Sequence, residues 1–177
     1  LRTFCRTQTK KQIGGILLGF SILMFGLSAM SNAVAPLKEN EAFISFLTKF
    51  SNPLLGILAG CLFTCVIQSA SAAIGILQTL AVTGLLDFSM AYPLVLGISV
   101  GAAIPVLISS IGTSVNGKRT AFVYLFIEAA GVLIFGPLFY IVNAFVHFPF
   151  MNSLMTAFSL AVLNTVTRLA TVSIQLP

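Results

Sequence analysis

Long apolar runs alternate with short polar stretches along this chain, and the runs have the lengths of membrane spans. Residues 13–35 form one such run, and residues 120–146 and 152–176 form two more. A helix needs about 20 predominantly apolar residues to cross the ~30 Å hydrocarbon core of a bilayer. The pattern therefore predicts an all-α integral membrane protein with three to four spans.

Two stretches near the N-terminus do not fit a span. Residues 1–12 are polar and basic, which predicts a cytoplasmic linker arriving from a preceding segment of a longer protein. Residues 38–52 mix lysine and glutamate with phenylalanine and leucine. An amphipathic stretch of this kind predicts a short helix lying in the membrane interface. Residues 13–177 would then form the membrane domain.

The apolar segment 54–86 is too long for one crossing, because a straight helix of that length extends about 50 Å. It is interrupted by Gln-Ser-Ala-Ser-Ala at residues 68–72. Each arm, at about 14 residues or roughly 20 Å, is too short to cross alone. The segment predicts a re-entrant helical hairpin turning near the midplane, where irregular backbone is tolerated only beside protein or water.

The next run, residues 88–112, contains Gly97, Gly101 and Pro105. Proline cannot donate a backbone hydrogen bond and its ring clashes with the preceding turn, so the run predicts a broken helix. A polar loop with Lys118 and Arg119 follows. The basic clusters suit cytoplasmic flanks, which predicts a multi-pass protein of the inner membrane with both ends cytoplasmic.

Composition excludes several classes of protein. Hydrophobic residues make up 58% of the 177 and charged residues only 7%, whereas a soluble domain carries about 25% charged residues. The net charge of +5 is divided among separate stretches, so no nucleic-acid partner is expected. Cys61 and Cys65 have too few companions for a zinc site and are interpreted as small buried hydrophobes. No arrangement of catalytic side chains indicates an enzyme.

The interruption at residues 68–72 carries the candidate chemistry. Helix ends inside a membrane leave backbone groups unpaired. The amides that begin the second arm favour an anion, whereas the carbonyls that end the first favour a hard cation such as Na⁺. Gln68, Ser69 and Ser71 add oxygens and donors there, as at the broken helices of secondary transporters. The same residues are also typical of a turn cap and of helix–helix contacts, and both interpretations stay open.

The segment NPLLGILAGCLFTCVIQSASAAIGILQTLAVTGLL resembles the repeat of the bacterial sodium/phosphate (type II) cotransporter family, whose signature at this place is Q-S-S-S-A. The later segments LGISVGAAIPVLISSIGTSVNGKRTAFVYLF and AVLNTVTRLATVSIQLP resemble the continuation of that repeat. The likeness extends from about Gly14 to Pro177 and fits the second of two repeats. It implies one half of an inverted repeat in a sodium-coupled phosphate carrier, with Na⁺ as coupling ion and no other cofactor.

The resemblance also assigns roles to residues of the hairpin. Gln68, Ser69 and Ser71 become the tip ligands of phosphate or Na⁺, and Thr64 becomes a hydroxyl behind them. Ala70 replaces the middle serine of the signature. A second repeat, supplied by an upstream half or a second copy, would complete the site beside the lipid bilayer.

Other positions depart from the family. Ser99 stands where the family has asparagine, and Ala102 and Pro105 stand at two of its threonines. Asn164, in the last span, remains a candidate ligand. These departures keep open an alternative function, a transport-inactive relative that acts as a membrane scaffold or regulatory subunit.

Two charges fall inside predicted spans. Glu128 lies nine residues beyond Arg119, which is about 13 Å along a helix. Arg168 follows Asn164 by one turn. A charge at such depth costs a few kcal/mol or more unless it is paired or hydrated. We predict that Glu128 and Arg168 pair, either as a brace between spans or functionally, with Glu128 holding a proton or cation or Arg168 attracting an anion.

Overall fold

The computed structural model describes residues 8–34, 36 and 39–175. Within those residues the chain forms seven α-helices: α1 (Gln8–Val34), α2 (Glu41–Thr48), α3 (Pro53–Ile67), α4 (Ala70–Val82), α5 (Phe88–Ser109), α6 (Val115–Val146) and α7 (Ala157–Gln175). Short 3₁₀ turns lie at Lys49–Ser51 and Pro149–Asn152. Four helices, α1, α5, α6 and α7, are long and apolar enough to cross a membrane. The predicted all-α membrane fold is confirmed.

Some helix boundaries differ from the predicted ones. α1 includes residues 8–12 of the predicted linker, whereas residues 1–7 lie outside the described part of the chain. α6 begins inside the predicted polar loop, because the Ser114 hydroxyl accepts a hydrogen bond from the Gly117 amide and caps the helix. Lys118 and Arg119 thus lie near its start, at its fourth and fifth residues. The helix dipole disfavours cations near a helix N-terminus, so this placement does not contribute to the stability of α6.

The predicted break in the span 88–112 is wrong. α5 is one continuous helix, although it contains Pro93 and Pro105. It is also the most buried long helix, since it packs against α3, α4 and α6. Prolines are tolerated in membrane helices where neighbouring helices stabilise the backbone around them, and the packing of α5 provides that support.

Glycines allow α3 and α5 to approach closely. A Cβ atom at Gly97 of α5 would collide with the backbone carbonyl of Ile57 in α3. A Cβ atom at Gly60 of α3 would likewise collide with the Leu94 carbonyl in α5. The backbones are therefore in direct contact, which is typical of small residues between membrane helices. Gly97, expected to interrupt its helix, instead forms this interface.

Contacts along the same interface give the directions of the helices. Near the start of both helices, a Cβ atom at Gly56 would lie 2.7 Å from the Pro93 ring. Toward their ends, a Cβ atom at Gly101 would lie 2.8 Å from Cβ of Thr64. α3 and α5 are thus parallel. Because residues 83–87 connect the end of α4 to the start of α5, the chain doubles back between α3 and α4.

The core lies around α4 and the first half of α5. α4 packs against α1 and α7 as well as α5. The fully buried members of the core include Ala73, Leu86, Ala91, Val95 and Leu160. At the same end, Tyr92 joins α5 to α6, because its hydroxyl donates a hydrogen bond to the Phe135 carbonyl at 2.8 Å. α4 and α7 lie side by side, and the space beside their polar faces forms the candidate site.

Candidate functional site

The hairpin tip is a two-residue break between α3 and α4. Gln68 ends α3 in the left-handed conformation, with φ at 58°, which is uncommon for a residue other than glycine. Ser69 is extended and begins α4, where its hydroxyl accepts a hydrogen bond from the Ala72 amide at 3.3 Å. The Ser71 hydroxyl lies 3.3 Å from that of Ser69. Ser69 is thus a helix cap, while Ser71 is exposed in the first turn of α4.

A cavity of about 470 Å³ lies beside the tip, bounded by α4, α5, α6 and α7. Its volume is within the range of about 300–1,000 Å³ that is usual for ligand sites. The polar side chains that line it are Ser71, Gln78, Tyr124, Asn164, Thr165 and Arg168. The structure therefore brings together three residues that were predicted from distant parts of the sequence: Ser71, Asn164 and Arg168.

Glu128 and Arg168 are in contact across α6 and α7, as predicted. Arg168 Nη1 lies 3.5 Å from Glu128 Oε1, and Arg168 Nε donates to Asn164 Oδ1 at 3.3 Å. The Arg168 side chain is 35% exposed, whereas the Glu128 side chain is 11% exposed. Arg168 lines the cavity and Glu128 does not. Tyr124, one turn before Glu128, also lines the cavity. The glutamate therefore lies behind the arginine.

Four of the proposed ligand residues do not line this cavity: Thr64, Ser99, Gln68 and Ser69. Thr64 is completely buried at the contact of α3 with α5, and its hydroxyl donates to the Gly60 carbonyl at 2.9 Å. Ser99 is 4% exposed in the packed part of α5. Gln68 is exposed at the tip but does not line the cavity. Thr64 and Ser99 are separated from Ser71, because the face of α3 that carries Thr64 packs against α5.

Sequence reasoning missed Gln78, Tyr124 and Thr165, although each lies at helical spacing from a predicted residue. Gln78 follows Ser71 by two turns on the same face of α4, and its amide Nε2 donates to the Ala157 carbonyl at 3.2 Å. Tyr124 precedes Glu128 by one turn, and Thr165 is the neighbour of Asn164. A search of the helical faces that carry the predicted residues would have found them.

The donors and acceptors at this site are hydroxyls, amides and one guanidinium. Among the described residues, no group of three or more His, Cys, Asp and Glu is placed to hold a metal ion. Neutral oxygens suit hard cations, whereas the guanidinium and the first amides of α4 suit an oxyanion. The arrangement is therefore suited to small ions.

A sequence model of the Na⁺/Pi-cotransporter family matches residues 36–160, well over half of the chain. The chain belongs to the Na⁺/Pi-cotransporter family. The matched region of this family member contains the hairpin, α5 and all of α6. It therefore includes Ser71, Tyr124 and Glu128 of the site. Asn164 and Arg168 lie just beyond it.

Individual relatives of this Na⁺/Pi-cotransporter family member also match parts of the chain. The chain is 29% identical over 139 residues to the uncharacterized protein YqeW of Bacillus subtilis, covering 77% of this chain and 45% of YqeW. It is 26% identical over 127 residues to the putative inorganic phosphate export protein YjbB of Escherichia coli, covering 71% of this chain and 23% of YjbB.

A shorter match relates the chain to the sodium-dependent phosphate transport protein 2A of the rat, with 33% identity over 72 residues, 41% of this chain and 11% of that protein. The chain thus spans less than half the length of these three relatives. No solved structure matches it significantly.

Proposed function

We propose that the protein forms part of a secondary transporter that carries inorganic phosphate, or a related small anion, across the bacterial inner membrane. The observation that carries the proposal is the cavity in which Ser71, the first turn of α4 and Arg168 face the same space. A helix N-terminus and an arginine both attract oxyanions. Two relatives named for phosphate, YjbB and the rat protein 2A, support this choice of substrate.

The doubling back of α3 and α4 supports a re-entrant hairpin. Thr64 lies beside Gly101, so the tip that follows it lies beside the second half of α5. Each arm is too short to cross a bilayer, whereas α5 is long enough. We therefore propose that the tip lies within the hydrocarbon layer and that both chain ends are cytoplasmic. A second, inverted repeat, upstream or in a second copy, supplies the opposing hairpin.

Sodium is the proposed coupling ion. The carbonyls at the end of α3 and the hydroxyls of Ser69 and Ser71 offer neutral oxygens at one point, and hard cations prefer oxygen ligands. The proposed process is symport that drives uptake. Because YjbB is named an export protein, the experiment measures phosphate flux in both directions.

The test is transport by the purified complete protein in proteoliposomes loaded with or exposed to radiolabelled phosphate. We expect an inward Na⁺ gradient to accelerate phosphate uptake at least several-fold over an equal K⁺ gradient, because coupled transport requires both solutes to bind. Equal rates with the two cations would disprove sodium coupling.

Absence of flux in both directions, with folded protein, would disprove transport. It would favour the alternative, a transport-inactive scaffold or regulatory subunit. One observation favours that alternative: Thr64 and Ser99 are sealed between packed helices and offer no ligand to the cavity.

A further inference from the structure

We propose that Arg168 binds the charge of the transported anion and that Glu128 is a positioning residue that holds Arg168 at the cavity. This inference rests on the proposed function and deepens it, because it names the group that selects a negatively charged substrate. The ligand class is a tetrahedral oxyanion, held between Arg168 on α7 and the first turn of α4.

The two members of the ion pair have different surroundings. Arg168 lines the cavity with 35% of its side chain exposed, whereas Glu128 is 11% exposed and lies behind it. If the pair only joined two helices, nothing would favour the exposure of its cation alone to a cavity. No acidic side chain of the described residues lines that cavity, so Arg168 makes its wall positively charged.

The guanidinium keeps most of its hydrogen-bonding capacity. Arginine has five N–H donors, and the contacts of Arg168 are one bond to Asn164 at 3.3 Å and the approach to Glu128 at 3.5 Å. Charge-assisted bonds of this kind are usually about 2.7–2.9 Å long. These two contacts leave donors of the planar guanidinium available to an oxyanion that binds it by two oxygens.

The opposite wall supplies complementary donors. α4 begins at Ala70, and its first amides have no acceptor within the helix. Ala70 and Ser71 both line the cavity. The helix dipole adds a partial positive charge at this end. An anion in the cavity would thus meet a full charge on one side and a helix N-terminus with the Ser71 hydroxyl on the other.

Glu128 lowers the cost of keeping the arginine inside the membrane domain. An unpaired charge there is strongly destabilising, and the carboxylate compensates it when no anion is bound. It also competes with the anion for the same guanidinium. Replacing Glu128 by glutamine keeps an oxygen for Arg168 but removes this competition.

The test measures phosphate affinity, by equilibrium binding of radiolabelled phosphate to the purified complete protein and by the KM of uptake. Loss of a hydrogen bond to a charged ligand weakens binding about 10- to 100-fold. We expect Arg168→Gln to weaken phosphate binding at least tenfold. We expect Glu128→Gln to tighten it, because the glutamine oxygen still faces Arg168 but no longer competes as a charge for the guanidinium. Arg119→Gln is the control and should bind normally, because Arg119 lies near the start of α6 and does not line the cavity.

The double variant E128Q/R168Q keeps the test informative if Arg168→Gln fails to fold. It removes both charges, so no unpaired charge remains inside the membrane domain. We expect it to fold and to bind phosphate at least tenfold more weakly than the unmodified protein. Normal phosphate affinity in the folded double variant would show that the pair is only a brace and would overturn the inference, while the proposed function stands. If the unmodified protein neither binds nor transports phosphate, the proposed function fails and this inference fails with it.

Discussion

Replacing Ser71 by alanine is expected to reduce phosphate uptake at least tenfold while leaving the protein folded. The Ser71 hydroxyl lines the cavity, and its described contact is the neighbouring hydroxyl of Ser69 at 3.3 Å. It therefore contributes little to the fold. A hydroxyl that donates to a charged ligand is worth about 10- to 100-fold in affinity. The measurement is the initial rate of sodium-driven phosphate uptake, with the amount of folded protein determined by size-exclusion chromatography.

Two further variants make this experiment specific. Ser109→Ala removes an exposed hydroxyl that donates to the Val106 carbonyl of its own helix at 2.9 Å, and uptake should be unchanged. Ser69→Ala should combine weaker transport with a loss of about 1 kcal/mol in stability, because Ser69 caps α4. Normal uptake by Ser71→Ala would remove this residue from the proposed site.

Gly97→Ala is expected to prevent normal packing of the membrane domain. The added Cβ atom would collide with the backbone carbonyl of Ile57, and a backbone atom cannot move aside without separating α3 from α5. Overpacked cores usually lose about 1–3 kcal/mol, occasionally more. We expect a loss of at least about 3 kcal/mol here, since two helix backbones must move apart. Thermal unfolding of the detergent-purified protein, followed by circular dichroism, measures this effect.

Gly75→Ala is the matched control for that substitution. Gly75 also lies inside a helix, but no atom outside its own helical turn lies within 4 Å of the position that its Cβ would occupy. The control should unfold at the temperature of the unmodified protein or slightly above it, because alanine has the higher helix propensity. Equal unfolding temperatures for the two alanine variants would contradict the close contact of α3 and α5.

The break at the hairpin tip could be predicted from sequence because its causes are local. Small polar residues interrupt an apolar run there, and a helix without the break would be too long for the membrane. The continuity of α5 could not be predicted in this way. Pro105 indicates a break when the helix is considered alone, but the support that keeps the helix intact comes from distant segments of the chain. Gly97 and Gly101 are four residues apart, a spacing that is typical of close helix contacts and not only of helix breaks.

The charged pair of the candidate site could be predicted from sequence, whereas the positions of its side chains relative to the cavity could not. Glu128 and Arg168 were expected to meet because each would be costly alone inside a membrane. Only the fold shows that the arginine faces the cavity and the glutamate lies behind it. Thr64 illustrates the opposite case. It was expected to stand behind the ligands of the hairpin tip, whereas it is completely buried where α3 packs against α5.

Cysteine accessibility at position 71 decides whether the hairpin tip lines a water-filled cavity that binds the transported anion. The complete protein, with its other cysteines replaced, would carry Ser71→Cys or, as control, Ala73→Cys, whose site is fully buried. Labelling with a membrane-impermeant thiol reagent is measured with and without saturating phosphate and Na⁺. We predict that Cys at position 71 is labelled and is protected by phosphate with Na⁺, while position 73 is not labelled. Absence of labelling at position 71 in folded protein, or labelling that phosphate leaves unchanged, would contradict the account.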